Sequence, residues 1–170
     1  MAAALRPVVI AAALAVCGWY GWGYLFPDDE AEIRAVLERI AEGVSSGGEG
    51  GVSRIARAAA LRHEFSPQVT VDAGAPFERL TGRDAVIGMA AKVAGAAKNL
   101  DVRFDDVSIV LGSEGDTADV SLTAYAQLTD AAGGHGVDAR ELKAAFSKTD
   151  GRWLVRAVTL VRAIQPMDTR

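Results

Sequence analysis

FSKTDGRWLVRAV, residues 146–158, reads as the tip of a β-hairpin. Asp150-Gly151 is a pair that accepts positive φ at both central turn positions, which matches the right-handed twist of the flanking strands. The strands are 137–148 and 152–164. A two-residue turn pairs Ala145 with Arg156 and Lys143 with Val158. One face of the hairpin then holds Glu141, Lys143, Ala145, Arg156, Val158 and Leu160. The other holds Leu142, Ala144, Phe146, Trp153, Val155, Ala157 and Val161. Hydrophobicity makes the second face the buried one, because burying Lys143 and Arg156 without partners costs several kcal/mol.

Upstream, 117–129 alternates without a fault. Ala118, Val120, Leu122, Ala124, Ala126 and Leu128 point inward, and Thr117, Asp119, Ser121, Thr123, Tyr125 and Gln127 outward. The stretch 100–111 is a further strand whose phase slips near Asp105-Asp106, as a bulge would cause. Glycine-containing turns at 112–116 and 131–136 join these strands into a four-stranded antiparallel meander.

Helices precede the meander. Ile33, Val36, Leu37, Ile40, Ala41 and Val44 form one apolar stripe, opened by Asp28 or Asp29 as a cap and by an acidic first turn. A Ser/Gly-rich run at 45–51 ends this helix. An alanine-rich second helix spans 52–63, with Pro67 closing it, and 69–71 is a short strand. A third helix spans 85–97, with Val86, Met89, Ala90 and Val93 on one face. The predicted class is α+β, with three helices packed on a curved antiparallel sheet.

The first 26 residues stand apart. Pro7 to Phe26 carries no charge over 20 residues, about what one helix needs to cross a hydrocarbon core. Its aromatic half, Trp19 to Phe26, suits a lipid–water interface. Arg6 on one side and Asp28, Asp29 and Glu30 on the other place the N-terminus inside. The expected organisation is a short cytoplasmic tail (1–6), a transmembrane helix (7–26), a folded domain (28–164) and a tail (165–170). It implies a single-pass protein of the inner membrane with its domain on the extracytoplasmic side, in contact with the bilayer through 7–26. A cleaved signal peptide, with Ala13-Leu14-Ala15 as its site, and a lipoprotein built on Leu14-Ala15-Val16-Cys17 are the rivals.

Composition narrows the function. All 22 acidic residues but only 17 of the 18 basic ones lie beyond Phe26, so that part is mildly acidic. It lacks the basic face that nucleic acid requires. One cysteine and two histidines make neither a disulfide framework nor an evident metal site, and no cofactor is expected.

The order of elements, with FSPQVTVDAG (65–74), LTGRDAVIGMAAKV (80–93) and the hairpin tip, resembles the nuclear transport factor 2-like superfamily, which includes ketosteroid isomerases and polyketide-cyclase-like proteins. The resemblance covers 28–164. It implies a cone with an apolar pocket between helices and sheet, a fold that hosts many functions. Isomerase chemistry needs a carboxylate base and an oxyanion hole of a tyrosine and a protonated aspartic acid. Carried over by motif, the base position is Ala73, with Asp72 on the opposite face. The oxyanion acid falls at Lys143, and the first helix has no tyrosine. No catalytic residue is therefore assigned.

The resemblance also turns the hairpin's first face inward, which makes Lys143, Arg156 and Leu160 pocket residues beside Tyr125 and Asp119. The expected function is a membrane-anchored, non-enzymatic binding or assembly domain, with the sheet face open to a homodimer or another protein. The alternatives are an enzyme of the polyketide-cyclase-like kind, using Tyr125, Asp119 or His63, and a carrier of a small apolar ligand.

Overall fold

The computed structural model describes residues 28–47, 51–74, 79–96, 98–129 and 133–164. The run 7–26, the tail 1–6 and the tail 165–170 lie outside the described residues. Among the described residues, no helix is long and apolar enough to cross a membrane. The chain divides into two units, Met1–Glu32 and Ile33–Arg170.

The elements are α1 (Asp29–Val44), β1 (Ser46–Gly47), α2 (Gly51–Ala60) running into a 3-10 turn (Leu61–His63), β2 (Phe65–Asp72), β3 (Leu80–Thr81), α3 (Arg83–Ala96), β4 (Asn99–Leu111), β5 (Thr117–Thr129), β6 (His135–Thr149) and β7 (Arg152–Ile164). The Asp28 carboxylate caps α1, accepting from the Ala31 N–H at 3.1 Å. Ile33, Val36, Leu37 and Ile40 are its buried stripe, as the periodicity requires. Gly43 is buried with them against Leu61. A Cβ there would stand 2.8 Å from Leu61 Cγ, and Leu61 is itself in the core. Gly43→Ala should therefore destabilise. Helix propensity favours alanine by about 1 kcal/mol, and overpacking costs about 1–3 kcal/mol. A net loss of about 1 kcal/mol by urea denaturation is expected, and a gain would show that Leu61 yields freely.

Among the described residues the sheet has seven strands, in the order β1-β4-β5-β6-β7-β2-β3. The meander β4–β7 is antiparallel, but β2 lies parallel to β7, so the sheet is mixed rather than purely antiparallel. This parallel partner also lengthens β2, which covers eight residues and not only 69–71. Pro67 does not close a helix. It sits inside β2 where the register shifts between Phe65 and Thr70, a place where a residue without an N–H is tolerated.

Among the described residues three irregularities interrupt the meander's pairing, one between β4 and β5 and two between β6 and β7; the last lies between Glu141 and Leu142, where Val161 is the extra residue. The first lies between Asp105 and Ser108, where the expected phase slip was read, and Asp106 takes φ +53°. The second overturns the predicted hairpin pairing. From the turn, with Asp150 at φ +50° and Gly151 at +73°, pairing runs regularly to Phe146↔Val155. It then jumps, so that Ala145 faces Ala157, not Arg156, and Lys143 faces Thr159, not Val158. Arg156 is the extra residue. Because side chains alternate with period two, this inserted residue exchanges the faces from Ala157 to Leu160, and the second insertion at Val161 restores them.

The third helix also differs from expectation. Val86, Ile87 and Ala90 turn toward the core, whereas Met89 (41% exposed) and Val93 (44%) face outward. Beyond its first turn the helix carries one charge, Lys92, so no polar face marked its orientation.

The long edge of the sheet is β4, which β1 covers only at Asn99 and Leu100. Further along, the Ser45 hydroxyl accepts from the Val102 N–H at 2.9 Å and donates to its carbonyl at 3.4 Å. Arg34 reaches the Val107 carbonyl at 3.4 Å. Side chains thus stand where a neighbouring strand would.

Candidate functional site

Between the helices and the inner face of the sheet lies a cavity of roughly 220 Å³. Leu37, Ile40 and Val44 reach it from α1, and Leu61 from the 3-10 turn. Phe65 and Val71 come from β2, and Val86 and Ala90 from α3. Phe104, Leu122, Leu142, Ala144, Val155 and Val158 close it from β4 to β7. Every one of these side chains is apolar. The contributions follow from the strand phases, with one exception. Strict alternation from Val155 would bring Ala157 inward next; the bulge at Arg156 brings in Val158 instead.

The bulge also resolves the conflict between the two readings of the hairpin. Leu142, Ala144, Phe146, Trp153 and Val155 are the inner face, as hydrophobicity required. Val158 sits inside as well, although alternation had put it with Lys143. Lys143 and Arg156 are exposed, and Lys143 lies on the outer face. Leu160 is half-buried and pairs with Leu142 of the inner face; a Cβ on Gly74 would stand 3.0 Å from its Cδ2.

Asp119 and Lys143 do come together, in a concavity of roughly 400 Å³ on the outer sheet face, with Ser108, Ser121, Ala145, Ala157 and Thr159. Tyr125 is half-buried further along β5, with the Arg103 guanidinium 4.8 Å from its ring centroid. Thr123 belongs to that face by phase but is 6% exposed, its hydroxyl 3.5 Å from the Asp106 carboxylate. His63 is exposed at the end of its 3-10 turn, and His135 is exposed at the start of β6, its Nδ1 3.1 Å from the Thr129 hydroxyl.

Asp72, next to the position where the resemblance seeks a base, is engaged elsewhere. Its carboxylate accepts from Arg79 at 2.7 Å and from the Gly74 N–H at 3.1 Å, and the Arg79 hydrogen bond holds it below the usual carboxylate range. Among the described residues, no group of three or more His, Cys, Asp or Glu side chains could hold a metal ion. The described lining side chains can therefore offer a ligand dispersion contacts, and among them there is no proton donor or acceptor.

A family model described as a SnoaL-like domain matches residues 28–159. No curated protein matches the chain. Solved structures do. A candidate scytalone dehydratase from Novosphingobium aromaticivorans is 17% identical with a TM-score of 0.65, over 83% of this chain and 94% of that one. The Kfla4162 protein from Kribbella flavida is 16% identical with a TM-score of 0.67, over 81% and 91%. A candidate dehydratase of the NTF2-like family from Streptomyces avermitilis is 14% identical with a TM-score of 0.63, over 81% and 98%. At such identities the likeness is one of fold.

Proposed function

From the premise that this chain belongs to the SnoaL-like domain family, we propose that it is a membrane-tethered binding domain whose interior cavity takes a small apolar molecule. The observation that carries the reading is the all-apolar lining of that cavity. An apolar cavity of about 150 Å³ stays dry and holds benzene, so roughly 220 Å³ suits a ligand of about ten non-hydrogen atoms. The uncharged run 7–26 supports the tether and an extracytoplasmic domain. The outer-face concavity with Asp119 and Lys143 suits a second copy or a protein partner.

A second reading, an enzyme of the polyketide-cyclase-like kind, draws support from the two similar proteins called candidate dehydratases. It would need an acid or base at the ligand, and among the described lining side chains there is neither.

Native mass spectrometry of the gently purified full chain decides between them. The expected result is an apolar adduct of about ten non-hydrogen atoms, displaced by naphthalene and absent from Ala144→Leu, which fills the cavity. A chain that carries nothing and takes up no naphthalene refutes the binding reading. An added compound returned chemically altered establishes the enzyme. For the tether, the chain should stay with the membrane pellet through alkaline carbonate extraction. Release into the supernatant with an N-terminus at Val16 or later would show cleavage, and release by Cys17→Ala would show lipidation.

A further inference from the structure

The helix α3 is unusual in its position. Between Asp84 and Lys98 its only charged side chain is Lys92, and no described residue of the helix is fully buried. Met89 and Val93 point outward, and at Gly88 and Gly95 an added Cβ would meet nothing within 4 Å. Yet Val86 and Ala90, on its other side, line the cavity. Among the described residues, α3 thus has one side on the cavity and the other exposed. Its side-chain hydrogen bonds and ion pairs lie at one end. In its first turn Arg83 donates to the Phe65 carbonyl at 2.8 Å, and Asp84 pairs with Arg62 at 2.9 Å. Among the described residues, no side chain of the helix beyond Asp84 makes a hydrogen bond or ion pair. Two glycines in a helix cost about 1 kcal/mol each relative to alanine. An apolar surface outside would compensate for both the exposure and the weak propensity.

We propose that the outer face of α3 docks on the lipid bilayer and that the cavity's ligand comes from the lipid past this helix. The inference rests on the reading of 7–26 as a membrane anchor and of the cavity as a site for an apolar molecule. Two observations favour lipid over a second copy or a protein partner, and a third bears on the kind of lipid. The uncharged run ends at Phe26, two positions before Asp28, so an anchor there would keep the start of the domain near the headgroups. Lys92, on a long apolar stem next to Met89 and Val93, can lay that stem along the acyl region with its ammonium among headgroups, and no carboxylate occurs from 85 to 96. The chain is acidic overall, which suits a neutral apolar contact rather than attraction to anionic lipid.

The test uses the full chain carrying Cys17→Ser, with either Met89→Cys or Glu114→Cys labelled with a polarity-sensitive fluorophore. Glu114 is exposed in the β4–β5 turn. The chains are reconstituted in phosphatidylcholine vesicles with and without brominated acyl chains. The label at 89 should be quenched by brominated lipid at least about threefold more than the label at 114, as for an interfacial helix inserted to acyl depth. Equal quenching in a chain that carbonate leaves in the pellet overturns the docking and leaves the anchor standing. A chain released by carbonate overturns the anchor and this inference with it. Cross-linking of Met89→Cys to itself between copies, with no lipid quenching, assigns the face to a second copy and overturns it. Loss of naphthalene binding with quenching intact would leave the docking and overturn the cavity as the ligand's destination.

Discussion

Trp153→Ala is expected to cost about 3–5 kcal/mol, a large share of the 5–15 kcal/mol that typically holds a small domain together. Trp153 is 2% exposed and shares the inner face with Phe146, which is fully buried, and with Val155. The Lys148 ammonium lies 5.6 Å from the indole centroid and covers its outer side. Truncation leaves a cavity that the rigid strands around the Asp150-Gly151 turn cannot collapse. In contrast, Lys143→Ala and Arg156→Ala should stay within about 0.5 kcal/mol, since both side chains are exposed. Urea denaturation of the four proteins measures the contrast. A tolerant Trp153 with a destabilised Arg156 variant would mean that the cationic face is the inner one.

The second large effect tests the bulge directly. Val158→Asp should cost on the order of 3 kcal/mol, because it places a carboxylate against an all-apolar cavity wall without a partner. Ala157→Asp, one residue earlier on the outer concavity, should cost less than about 1 kcal/mol. A hairpin that alternated regularly to its end would give the reverse order. Naphthalene uptake adds an independent readout, lost in the first variant and kept in the second.

Much of the architecture was legible in local sequence. The 117–129 alternation needed no correction at Ala118, Val120 or Leu122, all buried. The bulge at Asp105 could be read because Phe104 and Val107 are both apolar and cannot share a regular phase with the acids between them. The bulge at Arg156 could not, because Ala157 and Val158 are both apolar and either would serve as an inward residue. The parallel partner of β2 lies far along the chain, and nothing in 65–72 names it. Pro67 signals a break with equal force for a helix end or a strand irregularity. The cavity was illegible for a different reason. Its lining residues are those of any core, and only the way they fail to fill space sets them apart. Tyr125 and Asp119 stood out by polarity, which on β5 marks the outer face and not the cavity.

The side chains that occupy the β4 edge bear on how densely such a chain can be packed. An open strand edge is a template on which further copies can add, and addition becomes steeply more frequent as molecules are concentrated, in a plane as in solution. Ser45 at Val102, Arg34 at Val107 and the kink at Asp106 interrupt that template every few residues. Removing the hydroxyl with Ser45→Ala would leave the fold's interior untouched and still shorten the time to fibril nucleation at high protein density. The edge contacts thus set a ceiling on crowding rather than on stability.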